Sequence, residues 1–256
     1  MIDIMKNEKI DASDKKEVKG LKEKIADLCF RFRAISVVPL ILICYFLFSP
    51  VDLGSFNSLV SVIGFVIALL GGMTRMISVG FSKPVTSGRE NYLKAENLNT
   101  KGLYSLVRNP LYVGNFLIYN GILIAYSSIY ALVLLNVFFV LNYYFIIYSE
   151  EAYLKSKFGL EYEDYLKNVP SVIPNFRNYK KNDRGFGLLK VMLREKNTTF
   201  YWIFFYIISL LLKQYKLNDG AIDNFWFYAI PVIIVFALNI SLTIYKKFFT
   251  SEKVYT

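Results

Sequence analysis

Long apolar blocks separated by charged connections dominate this chain. Residues 34–48, 58–79, 111–127 and 129–148 are almost continuously apolar, and two further blocks run from Thr198 to Leu212 and from Asn224 to Tyr245. Blocks of this length predict membrane-crossing helices rather than the one-sided patterning of a water-soluble core. The expected fold is therefore all-α, a polytopic transmembrane bundle of about six spans. Ahead of the first block, Val18, Leu21, Ile25, Leu28 and Phe32 recur at helical spacing, with Lys15, Lys16, Lys19, Lys22 and Lys24 off that stripe. This predicts an amphipathic leader over residues 1–33, lying on the membrane surface or solvated beside it.

The connections set the orientation. Residues 49–57 carry Asp52 and neither Lys nor Arg, whereas residues 80–111 carry Lys83, Arg89, Lys94, Lys101 and Arg108. Residues 149–198 are more basic still. Positive-inside counting places both large basic loops and both termini in the cytoplasm, as in a multi-pass integral membrane protein. The division expected is a leader over 1–33, a core over 34–176 with a cytoplasmic cap at 149–176, a basic cytoplasmic linker over 177–198, and a C-terminal hairpin over 199–256. In the second block, Gly64, Gly71 and Gly72 would let a neighbouring helix approach closely, and Arg75 is expected to snorkel toward the cytoplasm. The fifth block, Thr198 to Leu212, is short for a span unless Lys213 at its end snorkels to the interface.

Composition agrees. Hydrophobic residues make up 55% of the 256, and the mean hydropathy is +0.37. The net charge of +10 lies between the apolar blocks, so it points to anionic lipid head groups and not to nucleic acid. The chain has no histidine, which removes the usual general base, the commonest metal ligand and any Ser-His-Asp triad. Cys29 and Cys44 have no metal-ligand spacing, so neither a metal site nor a disulfide is expected. A polar N-terminus shows no cleavable signal peptide.

One polar stretch stands out, Gly102 to Gly114. Pro110 suits the first turn of a helix, where its absent N–H costs nothing, and Asn109 before it suits an N-cap. With Arg108, this makes a donor-rich helix start able to hold a carboxylate or phosphate. Tyr104, Leu111 and Tyr112 add walls for a flat ring. The following blocks meet at a tight turn, Ser127-Ser128. Eighteen helical residues rise about 27 Å, close to the ~30 Å hydrocarbon thickness, so the hairpin returns Glu150-Glu151 to the face that Asn109 left. Two carboxylates at the C-terminal end of a span oppose the helix dipole. Leu154, Phe158 and Tyr162 continue the stripe into a packed cap. A carboxylate facing a basic helix start suits a zwitterionic ligand.

These residues carry a resemblance. Gly102-x-Tyr104, Arg108-x-Pro110-x-Tyr112-x-Gly114, Glu150-Glu151, Phe158-Gly159, Tyr162, Tyr165 and Val169-Pro170 resemble the integral-membrane methyltransferases, which include isoprenylcysteine carboxyl methyltransferases and phospholipid N-methyltransferases. The resemblance covers roughly residues 98–176. It implies S-adenosyl-L-methionine as cofactor, bound in the cytoplasmic cap by Tyr104, Asn109, Pro110, Leu111, Tyr112 and Glu150. Arg108 and Asn109 become candidates for positioning, and Gly102, Gly114 and Glu151 support the site. The acceptor implied is a lipid or lipid-linked molecule. Two departures matter. Asn109 stands where the family usually has histidine, and Ile146 stands where prenylcysteine enzymes place a substrate-contacting arginine. An NADPH-dependent sterol-type reductase, and a non-catalytic membrane protein retaining the fold, are the alternative readings.

Overall fold

The computed structural model describes residues 20–33, 35–83 and 95–249, so Lys15, Lys16, Val18, Lys19, Arg89 and Lys94 lie outside the described residues. The described chain is helical: α1 (Leu21–Phe32), α2 (Val37–Leu47), α3 (Asn57–Phe81), α4 (Leu103–Leu106), α5 (Pro110–Tyr126), α6 (Ile129–Phe158), α7 (Leu160–Asn168), α8 (Leu188–Leu217) and α9 (Phe225–Phe249), with short 3-10 turns at Gly54–Phe56 and Phe176–Asn178. All six apolar blocks are helical. Gly54–Phe81, Ile129–Phe158 and Phe225–Phe249 are long and apolar enough to cross a membrane alone, and α1 with α2, bent by 80°, makes a fourth candidate as a broken span. The apolar α5 has 17 residues, about 25 Å of rise. It is shorter than the ~30 Å hydrocarbon thickness and packs along α3.

That packing rests on small residues. A Cβ on Gly64 would sit 2.5 Å from the Gly121 carbonyl oxygen, and one on Gly71 would sit 2.5 Å from that of Gly114. With Ala68 and Ala125 on the same seam, the α3 and α5 backbones touch, as small-residue seams allow in lipid. Gly64 and Gly71 thus do what their positions predict, while Gly72 faces Trp202 of α8.

Three local details of the packing were not given by the sequence. In α1 the buried positions are Ala26 and Phe30, which pack toward α6, while Leu21, Leu28 and Phe32 are exposed. The compact alanine lets α1 close on α6 and leaves the larger apolar stripe outward. Arg75 does not snorkel; it is held by Glu195 and Asn115 between helices. Lys213 is also buried: its Nζ donates to Ser127 Oγ at 2.8 Å, while Lys216 donates to the Tyr45 carbonyl at 2.7 Å and the Phe48 carbonyl at 3.1 Å. Lys216 of α8 therefore satisfies carbonyls orphaned at the end of α2. Residues 188–198 belong to α8, so this one helix joins a polar first third to the expected fifth span.

Candidate functional site

The Gly102–Gly114 stretch is stitched to the segment that follows the cap. Gly102, at a φ of +62° that glycine adopts readily, opens α4, and its N–H donates to the Lys180 carbonyl at 2.8 Å. Val107 is extended and ends α4. Beyond it the Arg108 N–H donates to the Pro170 carbonyl at 2.9 Å, the Asn109 N–H to that of Ser171 at 3.2 Å, and the Asn175 N–H returns to that of Leu106 at 2.9 Å. The Tyr165 hydroxyl closes the stitch on the Tyr104 carbonyl at 2.6 Å.

The Arg108 guanidinium is the centre of this clamp. Nη2 and Nε lie 2.7 and 3.0 Å from Glu151 Oε1, and Nη1 donates to the carbonyls of Val169 at 2.5 Å and Leu166 at 3.3 Å. Its charge is thus spent on the cap and not held out for an anion. Asn109 occupies the N-cap position of α5, and its carbonyl accepts from the N–H groups of Tyr112 and Val113. Its side chain does not cap, however. Nδ2 reaches Ser171 instead, 3.1 Å from both the carbonyl oxygen and Oγ. Ser171 is the partner that the sequence left unseen, since no spacing signal tied it to Asn109.

The two glutamates sit well inside α6, which continues to Phe158 before Gly159 breaks it at φ +54°. The dipole argument for their position therefore fails, and the basic last turn at Lys155 and Lys157 meets the dipole instead. The hairpin geometry holds, because both carboxylates reach the helix start they were expected to face. Glu151 binds Arg108, and Glu150, 8% exposed, accepts a hydrogen bond from the Tyr112 hydroxyl at 2.7 Å. The Tyr112 ring packs edge-on to Tyr143 at 4.9 Å, within a cluster that includes Phe30, Phe139 and Ile146. Arg33 lies close enough to act electrostatically on both tyrosines.

The cap is a second apolar unit. Leu98, Tyr162, Tyr165 and Val169 are buried together, with Leu154 and Phe158 packed against them. Desolvation pushes the Tyr162 and Tyr165 phenols well above their ordinary pKa, and the nearby Glu151 carboxylate adds to this at both. Between the cap and the helix start lies a cavity of about 50 Å³, lined by Asn97, Asn99, Tyr104, Arg108, Asn109 and Tyr162 among others. On the other side of Arg108 an open cleft of about 680 Å³ runs along Val169, Ile173, Phe176 and Arg177.

The structure thus brings Tyr104, Arg108 and Asn109 to one cavity, while Tyr112 and Glu150, joined to each other, do not line it. Pro110 is fully buried, Leu111 does not line the cavity, and Gly114 packs against Arg75 and Gly71. Asn97 and Asn99 enter the site without a sequence signal. Among the described residues no group of three or more His, Cys, Asp or Glu is placed to hold a metal ion.

Residues 59–161 match the phospholipid methyltransferase family, a stretch running from the start of α3 into α7. The chain is 39% identical over 101 residues to the protein-S-isoprenylcysteine O-methyltransferase of Schizosaccharomyces pombe, covering 39% of this chain and 42% of that protein. It is 35% identical over 94 residues to the cobalt-zinc-cadmium resistance protein CzcN of Cupriavidus metallidurans, covering 37% and 41%. It is 34% identical over 87 residues to the nickel-cobalt-cadmium resistance protein NccN of Alcaligenes xylosoxydans xylosoxydans, covering 34% and 40%. The chain therefore spans about two-fifths of the length of the curated relatives it matches. No solved structure gives a significant match.

Proposed function

We propose, from the match of residues 59–161 to the phospholipid methyltransferase family and the similarity to a protein-S-isoprenylcysteine O-methyltransferase, that the chain moves a methyl group from S-adenosylmethionine to a lipid or lipid-linked acceptor at the cytoplasmic membrane face. The observation that carries this reading is the Tyr112–Glu150 hydrogen bond, which sets a buried carboxylate against the first turn of α5.

The donor set fits the cofactor's chemistry. Glu150 is the anion for an ammonium, with Tyr112 fixing which of its oxygens is presented. Asn97, Asn99 and Asn109 line the cavity with side-chain amides, that of Asn109 already bonded to Ser171 and that of Asn99 accepting from the Lys83 N–H, and Tyr104 and Tyr162 offer flat apolar walls. Pro110 and Leu111 set the course of the first turn of α5 between Asn109 and Tyr112. Space is the open requirement. The cavity of about 50 Å³ holds one or two waters at ~30 Å³ each, so the cap and the 95–99 segment separate when the cofactor binds.

The cofactor, when bound, supplies an activated methyl carbon for in-line displacement. Positioning and desolvation do most of the work in such a transfer, so the absence of histidine is tolerable. Asn109 can hydrogen-bond but cannot take a proton, so an acceptor already carrying a lone pair at neutral pH suits this site best. Ile146, fully buried, offers no cation for a carboxylate at the position one turn before Glu150, which favours a lipidic acceptor other than a prenylated C-terminus.

The test is incubation of membranes containing the protein with methyl-labelled S-adenosylmethionine, followed by identification of the labelled lipid or protein. Label that depends on Glu150 supports the proposal. Binding of NADPH without binding of S-adenosylmethionine would overturn it in favour of a reductase.

A further inference from the structure

Arg75 and Glu195 are the most deeply placed ion pair among the described residues, and neither belongs to the site above. Arg75 Nε lies 2.8 Å from Glu195 Oε2 and Nη2 lies 3.1 Å from Oε1, a two-pronged contact between α3 and α8 with side-chain exposures of 14% and 3%. Burying two ions costs several kcal/mol each, and an apolar pair of similar volume would hold two membrane helices together as well or better. The pair therefore points to a demand for specific geometry, and its contacts show where that demand falls.

The remaining guanidinium nitrogen, Nη1, donates to Asn115 Oδ1 at 2.8 Å and lies 3.5 Å from the Leu111 carbonyl oxygen. Asn115 in turn donates through Nδ2 to the Tyr143 hydroxyl at 2.8 Å. Tyr143 packs edge-on to Tyr112, and Tyr112 holds Glu150. Leu111, Tyr112 and Asn115 share the first turns of α5, so Arg75 grips that helix at two points flanking the residue that reaches Glu150. Gly114 makes the grip sterically feasible, since a Cβ there would lie 2.6 Å from Arg75 Cγ.

We infer that Glu195 and Arg75 are a positioning pair: Glu195 on α8 holds Arg75, Arg75 sets the rotation of α5, and that rotation sets the Tyr112–Glu150 contact. α8 lies outside residues 59–161, so the C-terminal hairpin takes part in the site and is not only an appended membrane anchor. The functional consequence rests on the methyltransferase reading; the structural coupling does not.

The experiment compares the wild type with the double variant Arg75→Met/Glu195→Leu, which removes both charges together and leaves no ion uncompensated. Two readouts are taken on the full-length protein in detergent: S-adenosylmethionine affinity, and the fluorine resonance of 3-fluorotyrosine at position 112 without ligand. The expected result is a displaced Tyr112 resonance, in the direction produced by Glu150→Gln, and roughly 10-fold weaker binding, the size of one hydrogen bond to a charged group. An unchanged resonance overturns the inference, as does unchanged affinity in a wild type that binds. If the wild type itself binds no S-adenosylmethionine, the methyltransferase reading fails and the fluorine signal still decides the coupling. Should the double variant not fold, Glu195→Gln carries the same readouts with a smaller expected shift.

Discussion

Arg108 and Glu151, 43 residues apart in sequence, meet through two guanidinium nitrogens on one carboxylate oxygen and so divide the paired glutamates into different tasks. Glu151 anchors the cap to the helix start, and Glu150 is left facing Tyr112. Arg108→Ala should loosen the cap, because the Leu166 and Val169 carbonyls lose a donor along with the ion pair. A charged hydrogen bond is worth about 1.5–3 kcal/mol, discounted toward the lower figure because both side chains are partly exposed. Limited proteolysis around residues 160–180 should accelerate. Arg108→Lys should recover less than half of the loss, since a single ammonium cannot span the carboxylate and both carbonyls.

Tyr112→Phe removes a donor from a buried carboxylate while leaving the ring packing against Tyr143 intact. The expected result is S-adenosylmethionine binding weakened on the order of 10-fold with little change in melting temperature. Calorimetric titration alongside thermal unfolding separates these two effects.

Gly71→Val should destabilise the bundle, because its Cβ would already lie 2.5 Å from the Gly114 carbonyl oxygen and the backbones must part. Overpacking of this kind typically costs 1–3 kcal/mol. Thermal unfolding in detergent checks it, with Gly20→Ala as control, since a Cβ at that position meets nothing within 4 Å.

The helical bundle was legible because long apolar blocks fold as helices, and each expected block is helical, although three helices, or four with the bent α1–α2 pair, rather than six are long and apolar enough to cross a membrane. The two facing clusters were legible for a related reason: a hairpin of known rise fixes which residues return to the same level. What stayed hidden depends on side-chain direction. Nothing in the spacing of Asn109 foretells that its amide turns to Ser171 and leaves the helix uncapped. Likewise, Arg75 near a helix end reads as an interfacial anchor until Glu195 is seen approaching from a helix 120 residues away. The helix-end reading of Glu150-Glu151 failed because polar residues 149–158 are good helix formers, so α6 runs past the apolar block.

Asn109→Ala and Ser171→Ala should be non-additive, because each removes the other's partner. A double-mutant cycle on melting temperature should show a coupling of about 0.5–1.5 kcal/mol, the range of a neutral hydrogen bond. Asn109→His should preserve or raise methyl transfer if the side chain serves only as a hydrogen-bonding group, and labelled-methyl incorporation measures this.

Alkaline pH should open the cap. Tyr162 and Tyr165 hold their protons more tightly folded than unfolded, chiefly through desolvation. Their stabilisation is therefore complete below the unfolded phenol pKa of about 10 and is lost as pH rises above it. Tyr165→Phe should flatten this loss while lowering stability at neutral pH, since the bond to the Tyr104 carbonyl goes with the hydroxyl. Melting temperature across pH 7 to about 11 measures both.

The central claim is that Glu150 forms part of a pocket for S-adenosylmethionine. Its most direct test is calorimetric titration of purified wild-type and Glu150→Gln protein with that cofactor, with NADPH as comparison. The account predicts saturable S-adenosylmethionine binding, weakened by roughly 10- to 100-fold in Glu150→Gln, as expected for a charged hydrogen bond worth about 1.5–3 kcal/mol. Equal affinity of the two proteins, or binding of NADPH alone, would contradict it.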